Sequence, residues 1–191
     1  MDSLIRQGTK KLQFLWTILV ISMVSYVPIV YFTVQKEKLR RSAPNDLEGM
    51  GPIFFGLSIA LGIISIWQYR HFTTTQQIKQ KIQNKSGSPE KYFKDSKTGR
   101  VEQEISEEIN NLNEQERKIL HLPFLLTTPL IISLSIHSII AISGVCLSLS
   151  THSYYAVIPF VVIAVIFSLF IFPSQGNLLE KANEIKRNFD S

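Results

Sequence analysis

Four histidines, His71, His121, His137 and His152, and one cysteine, Cys146, carry most of the chemical range of this 191-residue chain. A metal site would draw on such side chains at close, characteristic spacings. No HExxH, CxxC or clustered-carboxylate motif accompanies them, and there is neither a phosphate-cradling glycine loop nor a nucleophile elbow. A single cysteine forms no intrachain disulfide, and Cys146, inside an apolar run, reads as a small hydrophobe. His71, His121 and His152 fall at or near the expected membrane boundaries, where a polar tip reaches water. An enzyme would need at least two polar groups converging at an interface, and no such pair is visible. The expectation is a protein without catalytic residues, cofactor or metal.

His137 differs because it lies in the middle of the third predicted span, the one histidine deep in any span. On a helical wheel it shares an arc with Ser133, Ala141, Gly144 and Ser148, which should face other helices rather than lipid. Ionisable groups inside a membrane often serve as proton relays or ligand contacts. The bland reading is a neutral imidazole hydrogen-bonded to a neighbouring helix. No acidic residue lies in any run to complete a proton path.

The elements that must position His137 follow from the segregation of charge. No Lys, Arg, Asp or Glu occurs from Leu12 to Gln35, Gly49 to Tyr69 or Ile119 to Leu179, runs of 24, 21 and 61 residues. A bilayer core about 30 Å thick needs roughly 20 apolar residues in a helix. In lipid each backbone amide must be satisfied within its own segment, so these runs predict helices. The third is long enough for two spans and a turn. The predicted spans are about 14–34, 52–69, 129–149 and 154–172, with a kink at Pro28 and a lead-in over 122–128. The first run is too long for a signal-peptide core and lacks a small-residue cleavage site, so it reads as a retained helix. Small residues four apart, Gly56 with Ala60 and Ser58 with Gly62, suit close helix packing in the second span, as Ala141 and Gly144 do in the third.

The segment 71–118 is the one sizeable polar stretch. Its first half is basic (Lys79, Lys81, Lys85, Lys91, Lys94, Lys97, Arg100) and its second acidic (Glu102, Glu104, Glu107, Glu108, Glu114, Glu116). Breaks are expected at Ser86–Pro89 and a turn at Lys97–Arg100. Val101, Ile105, Ile109 and Leu112 form a narrow helical stripe, predicting an amphipathic helix over about 101–118. The N-terminus carries three basic residues, the middle segment with Arg70 ten and the tail three. The first loop carries four: Lys36, Lys38, Arg40 and Arg41. With four spans the count is sixteen against four, so the side holding both termini is expected to be cytoplasmic, although the first-loop cluster opposes it. The net charge of +5 is read as loop orientation and headgroup contact rather than nucleic-acid binding.

The stretch SIHSIIAISGVCLSLS, residues 135–150, resembles the carboxylate-bearing helix of the proteolipid (c-type) subunits of rotary ATPases. Aligned on Gly144, the family's acidic position falls on Ser138, its tyrosine on Ser143 and its leucine on Val145. The glycine and apolar texture match, and the ion-binding carboxylate is missing. The double-hairpin outline is similar to the duplicated proteolipids, and the long middle loop departs from them. The resemblance implies a proteolipid-like protein that does not translocate protons.

The reading is an all-α polytopic membrane protein: four transmembrane helices in two hairpins, joined by a cytoplasmic loop with an amphipathic helix. Its segments are 1–70 and 119–176 (hairpins), 71–118 (loop) and 177–191 (polar tail). The expected role is non-enzymatic assembly in the plasma or inner membrane, as a homo-oligomer or within a larger complex. Packing would run through Gly56, Ala60, Gly62, Ala141 and Gly144. The alternative is a small transporter or channel using His137, with Ser138 beside it.

Overall fold

The computed structural model describes residues 1–38, 51–85, 88–94 and 101–190. Arg40 and Arg41 of the first-loop cluster, Ser86–Gly87 and the expected turn at 97–100 lie outside the described residues. The chain is all-α and polytopic, with four helical stretches long and apolar enough to cross a membrane and no strand among the described residues. In order the helices are α1 (Asp2–Val24), α2 (Tyr26–Lys38), α3 (Gly51–Phe72), α4 (Thr75–Gln83), α5 (Gln103–Asn110), α6 (Glu114–Ile119), α7 (Leu122–Leu125), α8 (Thr127–Ser150), α9 (Val157–Phe170) and α10 (Gln175–Asp190). Short 3-10 turns cover Pro89–Tyr92 and Tyr154–Ala156.

The expected kink at Pro28 appears three residues earlier, at Ser25 between α1 and α2, within one helical stretch from Asp2 to Lys36. Pro28 has no N–H for the carbonyl of Val24, so the ladder is interrupted there. Ser25 Oγ donates to the Ser22 carbonyl (2.6 Å) and Ser22 Oγ to that of Leu19 (2.7 Å). Such back-bonding bends helices.

Two compact units cut across the four sequence segments. One, the headpiece, gathers Met1–Leu15, Arg70–Pro129 and Pro173–Ser191. The other, the spanning unit, comprises Trp16–Tyr69 and Leu130–Phe172. None of the three headpiece segments has enough apolar surface for its own core, so they share one. Leu4, Ile5 and Leu12 of α1, Ile78 and Ile82 of α4, Ile119 of α6, and Leu178, Ala182 and Ile185 of α10 are all buried. Gly8 permits close approach of α1 to α7, since a Cβ there would lie 2.8 Å from Pro123 Cγ. The tail is thus a buried-face helix rather than a surface appendage.

The expected single helix over 101–118 is two, α5 and α6. The first ends at Asn110, capped by Asn111, and Asn113 starts the second. Its side chain accepts from the Glu116 N–H (2.8 Å) while Glu116 Oε2 accepts from the Asn113 N–H (3.3 Å), a capping box. Arg117 reaches back to the carbonyls of Asn110 (2.6 Å) and Leu112 (3.0 Å), which the break would otherwise leave bare. The acidic half closes on the chain ends. Glu108 takes the N-terminal ammonium (3.3 Å) and Glu116 takes Lys186 of α10 (2.6 Å).

The spanning unit has the polarity of a soluble core turned inside out. Ser58, Ser65, Ser133, His137, Ser148 and Ser168 are buried, while Ile18, Ile21, Phe32, Ile63, Ile142 and Phe170 are exposed. Apolar surface of that extent is stable against lipid and not against water. Aromatic rings gather at both ends: Trp16 against Phe172 (4.9 Å) at one, Tyr31 against Tyr154 (5.1 Å) at the other. Amphipathic rings at both borders are the interfacial belts of a membrane protein.

Candidate functional site

Three helices each bury one narrow stripe in the spanning unit. On α3 it is Ser58, Gly62 and Ser65; within the wider buried faces of α8 and α9, which also hold Leu134, Ile140 and Val161, it is Ser133, His137, Ala141, Gly144 and Ser148, and Phe160, Ala164 and Ser168. Spacings of three and four place each set on one helix face. The arc foreseen on the third span is therefore an inward face. His137 lies at the meeting point, fully buried.

Its ring is held at both nitrogens. Ser65 Oγ is 2.9 Å from Nε2 and Ser168 Oγ is 2.9 Å from Nδ1. Ser168 Oγ also donates to the Ala164 carbonyl (2.8 Å), and Ser65 Oγ lies 3.4 Å from the Ser133 carbonyl. A hydroxyl has one proton to give. With the Ser168 proton committed to Ala164, Nδ1–H donates to Ser168 Oγ and Ser65 donates to Nε2. The opposite tautomer would send the Ser65 proton along the longer 3.4 Å contact. The neutral imidazole with its proton on Nδ1 thus satisfies every partner best. The fourth helical stretch joins through Met23, whose Sδ is 4.0 Å from Ser168 Oγ, and through Trp16, whose Nε1 donates to the Ser168 carbonyl (2.9 Å).

This string has the distances of a nucleophile, a base and an orienting group. Yet Ser65 and His137 are both 0% exposed, so in this conformation no substrate reaches the hydroxyl. What the arrangement does chemically is tie α3, α8 and α9 together through one side chain. Sequence reasoning placed His137 but missed Ser65 and Ser168. The signal for Ser65 was present: it continues the Ser58–Gly62 stripe by three residues.

The small residues divide into two groups. Gly62 accepts the Phe167 ring where a Cβ would overlap it, and a Cβ on Gly144 would lie 2.6 Å from Phe160 Cβ. Ala141 is fully buried. These three are consumed by packing within the chain. Gly56 and Ala60 are exposed on α3, with nothing within 4 Å of a Cβ at Gly56. Ser138 is half-buried, one residue off the buried stripe.

Elsewhere, His71 lies 3.2 Å from Gln77 Nε2, His121 is buried edge-on to Tyr92 (5.3 Å), and His152 turns the chain between α8 and α9 at φ 49°. Among the described residues no three His, Cys, Asp or Glu side chains gather to hold a metal. A headpiece cleft of about 490 Å3 is lined by Gln83, Asn84, Glu90, Asn110 and Arg117 among others. Of its cations, Arg117 bonds backbone carbonyls, Lys118 pairs with Glu114 at 2.8 Å and Lys85 lies over the Tyr92 ring. Burial pushes the Lys181 ammonium below its ordinary value, and its Nζ donates to the Thr73 carbonyl, fastening α10 to the end of α3. Comparison with protein families, curated proteins and solved structures finds no match for this chain.

Proposed function

We propose that this chain is a non-enzymatic assembly component of the plasma or inner membrane, proteolipid-like in outline but not proton-translocating. It would act as a homo-oligomer or within a larger complex, through the outer face of α3. The observation that carries the reading is the division of the small residues. Gly62, Ala141 and Gly144 are filled from within the chain, whereas Gly56 and Ala60 form an unfilled, close-approach face. Small residues four apart are what lipid-embedded helices use to associate. The position that is acidic in proteolipid subunits is Ser138, which has no charge to exchange. The headpiece would be cytoplasmic, since it collects both termini and the middle loop, the side with sixteen of the twenty Lys and Arg.

The test is disulfide crosslinking in native membranes, after replacing the exposed Cys146 by serine. Ala60→Cys is expected to give a covalent dimer or a crosslink to a partner. Ala141→Cys, fully buried in the chain, is expected to give none. Absence of any crosslinked species from Ala60→Cys overturns assembly through α3.

A transporter or channel reading rests on one feature of the His137 string. Both serines face a further carbonyl, so a doubly protonated ring would keep both bonds while each hydroxyl turned to Ser133 or Ala164. That reading requires a pH-dependent flux in liposomes that His137→Ala abolishes. Its absence leaves the string a structural tie.

A further inference from the structure

Two lysines of the basic half of the middle segment, Lys85 and Lys91, converge on one aromatic residue. Tyr92 stacks on Phe124 of α7, with centroids 4.0 Å apart and planes 10° from parallel. Lys85, just past α4, lies over the Tyr92 ring at 5.7 Å, and Lys91 lies over it at 5.1 Å. Lys11 of α1 donates to the Tyr92 carbonyl at 2.8 Å. Three lysines from three separate elements therefore engage one residue, with Glu90 on the same turn and Glu114 in the cleft that Lys85 also lines. None of the three is ion-paired to a carboxylate among the described residues. A cation over an aromatic face is worth about 0.5 to 1 kcal/mol at an exposed site, and its charge stays available. Like charges brought together in this way repel unless an anion joins them.

The position of the cluster along the chain indicates which anion. Lys11 is five residues before Trp16, where the spanning unit begins, on the unbroken helix α1. At 1.5 Å per residue this is a separation of about 8 Å along the helix, close to the Debye length of about 8 Å at physiological ionic strength. A lysine at that height feels the headgroup layer. We infer that Lys11, Lys85 and Lys91, arrayed on the Tyr92–Phe124 stack, form a binding surface for anionic lipid headgroups of the bilayer that the chain spans.

Trp16 and Trp67 supply the probe, since both lie within three residues of the borders between the spanning unit and the headpiece. In vesicles, quenching of their fluorescence by brominated phosphatidylglycerol is compared with quenching by brominated phosphatidylcholine. The wild-type chain should prefer the anionic lipid, and salt should erode that preference. The full-length K11Q/K85Q/K91Q variant should lose about five-fold in relative association per lysine, the equivalent of about 1 kcal/mol each near a surface. K11R/K85R/K91R should keep it, which separates charge from fold, and K91Q alone changes one exposed side chain. An unchanged ratio in K11Q/K85Q/K91Q overturns the inference. So does displacement of the bound lipid by millimolar inorganic phosphate, which would mark a site for a free anion.

Discussion

Replacing His137 by leucine removes two hydrogen bonds from the centre of the spanning unit, those to Ser65 and Ser168. Ser168 keeps its bond to the Ala164 carbonyl, and Ser65 retains only the 3.4 Å contact to Ser133. Interhelical hydrogen bonds in membrane proteins average about 0.6 kcal/mol and reach about 1.7, so His137→Leu should cost about 1 to 3 kcal/mol. Leucine is close in size to histidine, so loss of volume adds little. The assay is reversible unfolding of the purified full chain in mixed micelles, followed by far-UV circular dichroism. The pairwise terms come from double-mutant cycles with Ser65→Ala and Ser168→Ala, each expected to couple to His137 by about 0.6 kcal/mol. The triple variant Ser65→Ala/His137→Leu/Ser168→Ala should be no less stable than His137→Leu alone, because removing both partners leaves no polar group stranded. Coupling energies below about 0.3 kcal/mol for both pairs would refute the clasp.

Two more outcomes follow from the same geometry. Gly62→Ala and Gly144→Ala must each push against a phenylalanine of α9, which should cost about 1 to 3 kcal/mol as overpacking does, whereas Gly56→Ala should leave the unfolding midpoint of the monomer unchanged. In the headpiece the hydrogen bond from Lys186 holds the Glu116 carboxyl below the usual range. A carboxyl lowered in the fold adds stability that is present above its unfolded pKa and lost as pH falls through its folded value. Glu116→Gln should therefore flatten the acid limb of the stability profile between those two values. The loss at neutral pH should stay near the 0.2 to 1 kcal/mol typical of partly exposed pairs, since glutamine can still close the capping box. Denaturant titrations across the carboxylate range check this, and an unchanged acid limb counts against the pair.

Much of the spanning unit was legible in the sequence because lipid imposes a coarse rule: charge-free runs of sufficient length are helices. The inward arc of α8 was legible for a related reason, since small and polar residues on one face stand out against Ile, Leu and Val. Ser65 and Ser168 escaped because serine is ordinary in an apolar helix, where it bonds its own backbone four residues back. Nothing local separates such a serine from one that turns to another helix. The headpiece escaped more fully. Its core joins Leu4 to Ile82, Ile119 and Ile185, residues whose separations in sequence carry no period. The apolar stripe of a short amphipathic stretch does not say what covers it, because each shows only one face of a shared core. The break at Asn113 was marked by its cap, Asn113 with Glu116 three residues on, within a stripe that otherwise reads as continuous.

The two packing devices of the spanning unit have different physical roles. Lipid tails are as apolar as the side chains, so burial does little to press helices together there, and close fit must do it. Gly62 under Phe167 and Gly144 against Phe160 supply that fit. Fit alone leaves register loosely specified, because an apolar helix can slide or rotate to another set of grooves at modest cost. A serine does not prevent this, since its hydroxyl falls back on its own helix, as Ser58 does to the Phe54 carbonyl at 2.8 Å. A histidine has no such retreat: its ring reaches beyond its own backbone, and its two nitrogens point apart. Rotating α8 by one residue, about 100°, would swing His137 out of reach of both Ser65 and Ser168 and strand it in hydrocarbon. His137 is therefore the side chain that makes one arrangement of α3, α8 and α9 preferable to its neighbours, and the coupling energies above measure how strongly.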